Sequence, residues 1–469
     1  MTDAIPPEFS QPGYRSRRVQ NWVLLGLLYA LFYMTRYNYT AVNPHIAEIL
    51  GWKNTELGVF ETVMPLVYGL SVFFNGPLAD RVGGKRAFLF GGLGVFVMNV
   101  VFGCSALFVE RPAVWAGTGQ ARAVVEPAVL GLGLSGGALL ALMATVWGIN
   151  GYFQSFGALA IVKVNAQWFH MRERGTFSGI FGVLIRLGLW LGFSISPLLI
   201  GLRGGLWQWA FWIPAVCVLL FVLLNWRLME NAPTDAGFAG IDTGDEAAPD
   251  DGKPVKTADV LRKVFTSKAA WMIAVCSMMI GLVRRSVVDA WYPKYFADMF
   301  GVPKASLGTF LPYQVTSTGI ALLGILGGFA FGISSDRIYK GRRAPVIVYG
   351  FAGMALMLVA LGLVHRAALG PWATMVCLVL LSFCVNGAHG MVGGAASMDF
   401  GGRKAAATAA GLFDGMQYLA AAVVGVGVGR IVDNWGWGVW MWAPIPFAVI
   451  GVLVMAQLWN VTPRGRGGH

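Results

Sequence analysis

YALFYMTRYNYTAVNP, residues 29–44, closes an apolar run that begins near Trp22 and carries Arg36 in its middle. About 20 mostly apolar residues suffice to cross a bilayer as a helix, so the run predicts a membrane-spanning helix. An arginine well inside such a helix costs at least about 2.5–3.5 kcal/mol on insertion scales. A chain keeps that charge where it faces a bundle interior or a watery cavity and has something to hold. Tyr29, Tyr33 and Tyr37 fall one or two helical turns before Arg36, or beside it, and are expected to line the same cavity. A second cation pair, Arg284 and Arg285, sits in a similar run much later, GLVRRSVVDAWYPKYF, residues 281–296. Together the two runs predict arginines from two halves of one protein meeting at mid-membrane around an anion.

The 469 residues are 56% hydrophobic and 12% charged, about half the charge of an ordinary soluble domain. That balance excludes a soluble core of this size and predicts a polytopic membrane protein, with 63 glycines suited to close helix packing in lipid. The net charge of +12 does not point to nucleic acid. The cations sit in short loops between apolar runs (Arg81, Lys85 and Arg86; Arg172 and Arg174; Arg337, Lys340, Arg342 and Arg343), and the alternate loops are poorer in them. This positive-inside pattern predicts both termini in the cytoplasm. The five cysteines are scattered in apolar segments without metal-ligand spacing and read as packing residues. No phosphate-binding Walker loop, metal-spaced His/Cys set or nucleophile–base pattern stands out, so neither an enzyme nor a cofactor or metal is expected. The first apolar run has no obvious cleavage site and carries Arg36, which predicts a retained helix.

At a minimum near 18 apolar residues per span, the chain predicts twelve, at about 20–48, 55–79, 86–108, 138–166, 176–200, 207–227, 269–297, 306–335, 344–366, 371–397, 404–432 and 437–459. The expected organisation is a cytoplasmic lead over 1–19, an N-terminal six-helix bundle over 20–228 and a cytoplasmic linker over 229–258. A C-terminal six-helix bundle over 259–460 and a cytoplasmic tail over 461–469 complete it. The stretch from about 110 to 135 predicts an external loop with a short interfacial or re-entrant piece. The linker, acidic and then basic, has the composition of a mobile tether.

Internal repetition supports two halves. GPLADRVGGKR, residues 76–86, follows the second span, and GISSDRIYKGRR, residues 332–343, follows the eighth. Both read G-x3-D-R and then basic residues. An Asp at a helix end and an Arg in a tight loop can pair with each other or with a neighbouring helix terminus. Asp80, Arg81, Asp336 and Arg337 are therefore candidates for a cytoplasmic latch. Two copies at equivalent places in a six-plus-six layout indicate a transporter built from repeats.

With this loop the chain resembles the major facilitator superfamily. More narrowly it is similar to the organophosphate:phosphate antiporters, the glycerol-3-phosphate and hexose-phosphate transporters. The likeness is carried by YMTRYNYTAVNP (33–44), GYFQSFG (151–157) with WFHMRERGTFSG (168–179), the R-x5-W-x-P-x-Y of Arg285, Trp291, Pro293 and Tyr295, and GGRKAAATAAGLFDGMQYL (401–419) with DNWGW (433–437). The resemblance implies an all-α membrane protein of twelve helices in two six-helix bundles. It implies an integral protein of the bacterial inner membrane, a monomer, working by alternating access. Its partners would be a small organic anion and inorganic phosphate, the phosphate held by Arg36 and Arg285. There are departures. Ile185, with Arg186 beside it, replaces the family's fifth-span histidine; Val72 replaces a second-span lysine of the glycerol-phosphate members; Asp414 stands where a small residue is usual.

The candidate substrate-binding residues are Arg36, Arg285, Arg186, Tyr33, Tyr29, Tyr68 and Gln154. Guanidinium forks suit a tetrahedral oxyanion; the competing reading is an internal ion pair of the arginines with Asp289, Asp414 or Glu61. Arg186 is either a third cation for the substrate or the partner of Asp414. Asp289, Asp414 and His389 are candidate proton or ion-pair sites, and His389 fits a hydrogen-bonded interior histidine as well. Two rival functions stay open: a proton-coupled symporter of another organic anion, and a membrane sensor of sugar phosphates with little transport.

Overall fold

The computed structural model describes residues 11–105, 111–112, 125–126, 136–169, 174–202, 206–239, 241, 267–392 and 397–460. Within the helices the side chains of some positions, Asp80 and Asp336 among them, lie outside the description.

The helices fall into two groups of six, as the apolar runs predict. In the first half, span 1 is Tyr14–Leu50, span 2 Asn54–Val82 and span 3 Gly84–Cys104. Span 4 runs as Gly136–Gln154 and Phe156–Trp168, span 5 as Arg174–Trp190, a π turn Leu191–Ile195 and Ser196–Leu202, and span 6 is Trp209–Leu228. In the second half, span 7 is Lys268–Val283, a π turn Arg284–Val288 and Tyr292–Met299. Spans 8 to 11 are Leu311–Arg337, Ala344–Arg366, Gly370–Gly390 and Ser397–Trp435, and span 12 is Trp437–Trp440 with Ile445–Ala456. In lipid every backbone N–H and C=O must be bonded within the protein, which leaves helices as the solution for these runs. Nine segments are long and apolar enough to cross a membrane among the described residues. Span 1, at 37 residues, has the length but carries Arg36, Asn38, Asn43 and His45, all buried.

Span 1 starts at Tyr14, earlier than the apolar run suggests, because Tyr14 is itself a core residue: its hydroxyl donates to the Trp168 carbonyl at 2.7 Å. The first part of the linker is docked, contrary to the mobile tether expected there. Phe238 and Ile241 pack on the core formed by Tyr14, Phe32, Phe88 and Trp168, and Glu230 pairs with Lys85 at 3.1 Å. Residues 242–266 lie outside the described residues. Of the stretch from 110 to 135, Arg111–Pro112 pairs antiparallel with Val125–Glu126, and the rest of the expected external piece lies outside the description.

Two seams join the bundles. Along one, spans 2 and 11 meet with almost no side chain between them. A Cβ added at Gly58 would sit 2.3 Å from the Gly425 carbonyl oxygen, and one at Gly429 would sit 2.3 Å from that of Asn54. Small residues four apart on one face let helix backbones approach in this way. At the outer end the Asp433 carboxylate accepts from the backbone and side-chain N–H of Asn54 at 3.0 and 2.8 Å. It also accepts from the backbone N–H and hydroxyl of Thr55 at 2.7 and 2.6 Å. Span 2 has Lys53 at its N-cap position, a side chain with no acceptor. Glu56 of the same helix accepts from the Lys53 N–H at 2.8 Å, while the acceptor for the Asn54 and Thr55 N–H groups comes from the other bundle. Along the second seam, the π turn of span 5 presents its Phe193 and Ser194 carbonyls to Tyr313 (2.7 Å) and Gln314 (3.1 Å) of span 8. Ser194 and Ser317 share a 2.7 Å hydrogen bond, and Trp190 donates to Thr318 at 2.9 Å. These contacts lie on the outer halves of their spans, so the protein is closed on the outer side. On the cytoplasmic side Arg81 and Arg337 are exposed; the carboxylates of both expected latches, Asp80 and Asp336, lie outside the described residues.

Candidate functional site

Spans 1, 2, 4 and 11 converge on Arg36, which is 2% exposed. Its Nη1 donates to the Tyr418 hydroxyl at 3.1 Å and its Nη2 to the Gln154 carbonyl oxygen at 3.2 Å. Gln154 is held in that pose because its own amide donates to Thr35 at 3.2 Å. The guanidinium lies over two rings, Tyr33 at 4.4 Å and Tyr68 at 4.6 Å. Desolvated cation–π contacts of this kind are worth about 2 kcal/mol. They stabilise the cation without neutralising it. Among the described residues no carboxylate pairs with Arg36, and its Nε–H is buried without an acceptor.

Arg285 is held differently. The π turn Arg284–Val288 widens span 7 where the two arginines sit, a distortion found often at functional sites. Trp440 braces the turn by donating to the Ser286 carbonyl at 2.8 Å. The adjacent guanidiniums diverge. Arg284 pairs with Asp289 of its own span at 2.7 Å, and Tyr37 of span 1 donates to the same carboxylate at 3.3 Å. Arg285 reaches across the bundle interface to Glu61 of span 2. The other Glu61 oxygen accepts from Thr40 at 2.5 Å. Arg285 also lies 5.4 Å from the Tyr37 ring centre, and its Nε–H is buried and unpartnered.

Arg36, Arg284, Arg285, Tyr37, Gln417 and Tyr418 border one cavity between the bundles. The cavity has a volume of about 10 Å³, the room of about one water. With the outer side closed, arginines from opposite bundles border this small space.

The remaining candidates divide. Tyr33, Tyr68 and Gln154 touch Arg36. Tyr29 does not: it packs edge-on against Tyr33 at 5.2 Å and sits against Gly157, so burial accounts for it. Arg186 does not pair with Asp414 but hydrogen-bonds Asn386 of span 10 across the interface, where span 5 packs on span 8. Asp414 is half-buried without a hydrogen-bond partner among the described residues. His389 is a hydrogen-bonded interior histidine, 3.1 Å from the Gln417 amide. Sequence reasoning missed Tyr418, Gln417 and Asn386. The first two lie in the GLFDGMQYL stretch, where one helical turn from the out-of-place Asp414 was the available signal. Asn386 had none beyond being an amide in an apolar span. Among the described residues no group of three His, Cys, Asp or Glu side chains gathers as metal ligands would.

Comparison with known proteins gives the same direction. The Major Facilitator Superfamily profile matches residues 25–328. The glycerol-3-phosphate transporter of Bacillus subtilis is 28% identical, the alignment covering 96% of this chain and 94% of the relative. A probable hexose phosphate transport protein of Chlamydia muridarum is 26% identical, with 99% and 95% covered. The membrane sensor protein UhpC of Escherichia coli is 24% identical, with 96% and 94% covered. Among solved structures a D-xylose-proton symporter superposes with a TM-score of 0.69 at 14% identity, covering 96% of this chain and 99% of that one.

Proposed function

This chain belongs to the Major Facilitator Superfamily and is a multi-pass transporter of the bacterial inner membrane; from that premise we propose that it carries a small phosphorylated organic anion. The phosphate is gripped between Arg36 of one bundle and Arg285 of the other. The observation that carries this reading is Arg36 itself, a buried guanidinium whose hydrogen-bond partners among the described residues are neutral, facing a second guanidinium across the bundle interface. Guanidinium forks bind phosphate oxygens bidentately, and the unpartnered Nε–H groups of both arginines are donors left over for it. The names of the relatives, which include glycerol-3-phosphate and hexose phosphate carriers, support the substrate class.

Like charges brought together in a dry space repel, so an anion between the arginines favours the closed form. Loading and unloading then alternate with parting of the inner and outer halves, and inorganic phosphate is a natural counter-substrate for an organophosphate. The test is counterflow: liposomes loaded with phosphate and containing the purified protein are offered labelled phosphate esters, phosphonates and carboxylates. Accumulation of phosphate esters driven by internal phosphate is expected. Uptake of carboxylates alone, driven by a pH gradient and indifferent to phosphate, refutes the reading in favour of a proton-coupled symporter. Binding without flux refutes it in favour of a sensor, the role named for the Escherichia coli relative.

A further inference from the structure

The two arginines of the clamp are not equivalent, and the difference lies in Glu61. Arg284 is neutralised by Asp289 of its own span, a pair that survives any motion of one bundle against the other. Arg36 has no carboxylate among the described residues. Arg285 is neutralised from the opposite bundle, by Glu61 of span 2, and that pair exists only while the outer halves are together. Glu61 is 2% exposed and belongs to the apolar stretch of span 2. A carboxylate there is costly unless it has a partner. Thr40 fixes its second oxygen at 2.5 Å, so the carboxylate keeps its place when Arg285 leaves it.

Resting on the clamp reading above, we propose that Glu61 is an internal anion that stands in for the substrate's phosphate on Arg285. With the site empty and the outer side closed, Glu61 offsets the charge of Arg285, so of the two clamp arginines only Arg36 lacks a carboxylate within ion-pair distance among the described residues. Repulsion between the guanidiniums no longer forbids closure over an unloaded site. An arriving phosphate competes with Glu61 for Arg285 and releases the cross-bundle bond as it binds. The carrier is therefore not confined to strict exchange. After discharging its load outside, it can close its outer seam empty and return. Glu61 is a positioning residue for Arg285, with the specific task of setting how much net transport accompanies exchange.

Two measurements on the full-length protein in liposomes test this. Labelled inorganic phosphate is loaded inside, and its efflux is followed into medium with and without external phosphate. Glu61→Gln is expected to lower the ratio of net efflux to exchange by about 30-fold or more, the scale for removing one partner of a buried charge pair. Glu61→Asp, which keeps the charge, is expected to restore it. A ratio unchanged in Glu61→Gln, or lowered equally in Glu61→Asp, overturns the proposal. The second measurement needs no substrate. A single cysteine at Ala421, which borders the cavity, is introduced after replacing the five native cysteines and labelled from outside with an impermeant reagent. In the empty carrier Glu61→Gln is expected to speed labelling, because the outer seam has lost its neutralising pair; unaltered labelling overturns the proposal. If the parent moves no phosphate while labelling still responds to Glu61→Gln, the substrate reading fails and the gate role of Glu61 stands.

Discussion

Replacing Asp433 by alanine removes every hydrogen bond that the outer end of span 11 accepts from Asn54 and Thr55 of span 2. Two of these come from backbone N–H groups in the first turn of a helix whose own N-cap residue, Lys53, offers no acceptor. Loss of an N-cap acceptor costs about 0.5–2 kcal/mol, and the carboxylate's interaction with the helix dipole adds about 0.3–1 kcal/mol. Asp433 is solvent-exposed, so water replaces part of the bond when the seam opens, and a net about 1–2 kcal/mol is the working figure. The bonds exist only with the outer side closed, so their loss shifts the closed-to-open balance toward outward-open by about 5- to 30-fold. The assay is labelling of the Ala421→Cys reporter from outside in the empty carrier. Asp433→Ala is expected to raise the labelling rate by that factor, and Asp433→Asn, which keeps an acceptor oxygen, by less. Labelling indistinguishable from the Asp433 parent refutes the reasoning: the cap then follows from closure without stabilising it.

Arg36→Lys keeps the charge but not the fork, and phosphate exchange should fall by about 2–5 kcal/mol of stabilisation, the scale for a buried charged contact; near-normal exchange in the variant contradicts the clamp. Gly425→Val drives a side chain toward the Gly58 carbonyl, where even a Cβ would be 2.4 Å away, so outer closure should be blocked, with Ala421→Cys permanently labelled and exchange lost. Trp440→Phe strips the donor from the Ser286 carbonyl in the π turn, leaving a buried acceptor unmet at about 1–3 kcal/mol; a Tm lower by a few degrees is expected, with a raised KM as Arg285 loosens. An unchanged Tm and KM exclude a supporting role for that bond.

The spans were legible because the length of an apolar run and the scarcity of charge in it are local properties. The doubled G-x3-D-R loops gave the two-bundle layout for the same reason. Errors gathered where an apolar run ends before its helix does. Tyr14 extends span 1 because it finds Trp168, and the linker's start is held by Phe238 and Ile241 packing on a core the linear pattern does not display. In the site, Arg36 was legible from insertion cost alone, and Glu61 could be named as one of three carboxylates competing for an arginine. Which of the three, and for which arginine, was beyond the pattern.

The sequence by itself determined that this chain crosses a membrane about a dozen times and buries Arg36 and Arg285 at depth. Both follow from transferring single side chains and single helices out of water. The tertiary structure alone decided that Arg285 meets Glu61, that Arg186 meets Asn386, and that Asp433 caps the helix beginning at Asn54, partners separated by 224, 200 and 379 positions. Helical periodicity tells which face a residue occupies but not how one helix is turned or shifted against another. That rotation is set by how closely Gly58, Gly425 and Gly429 let two backbones approach, a property of the assembled bundles.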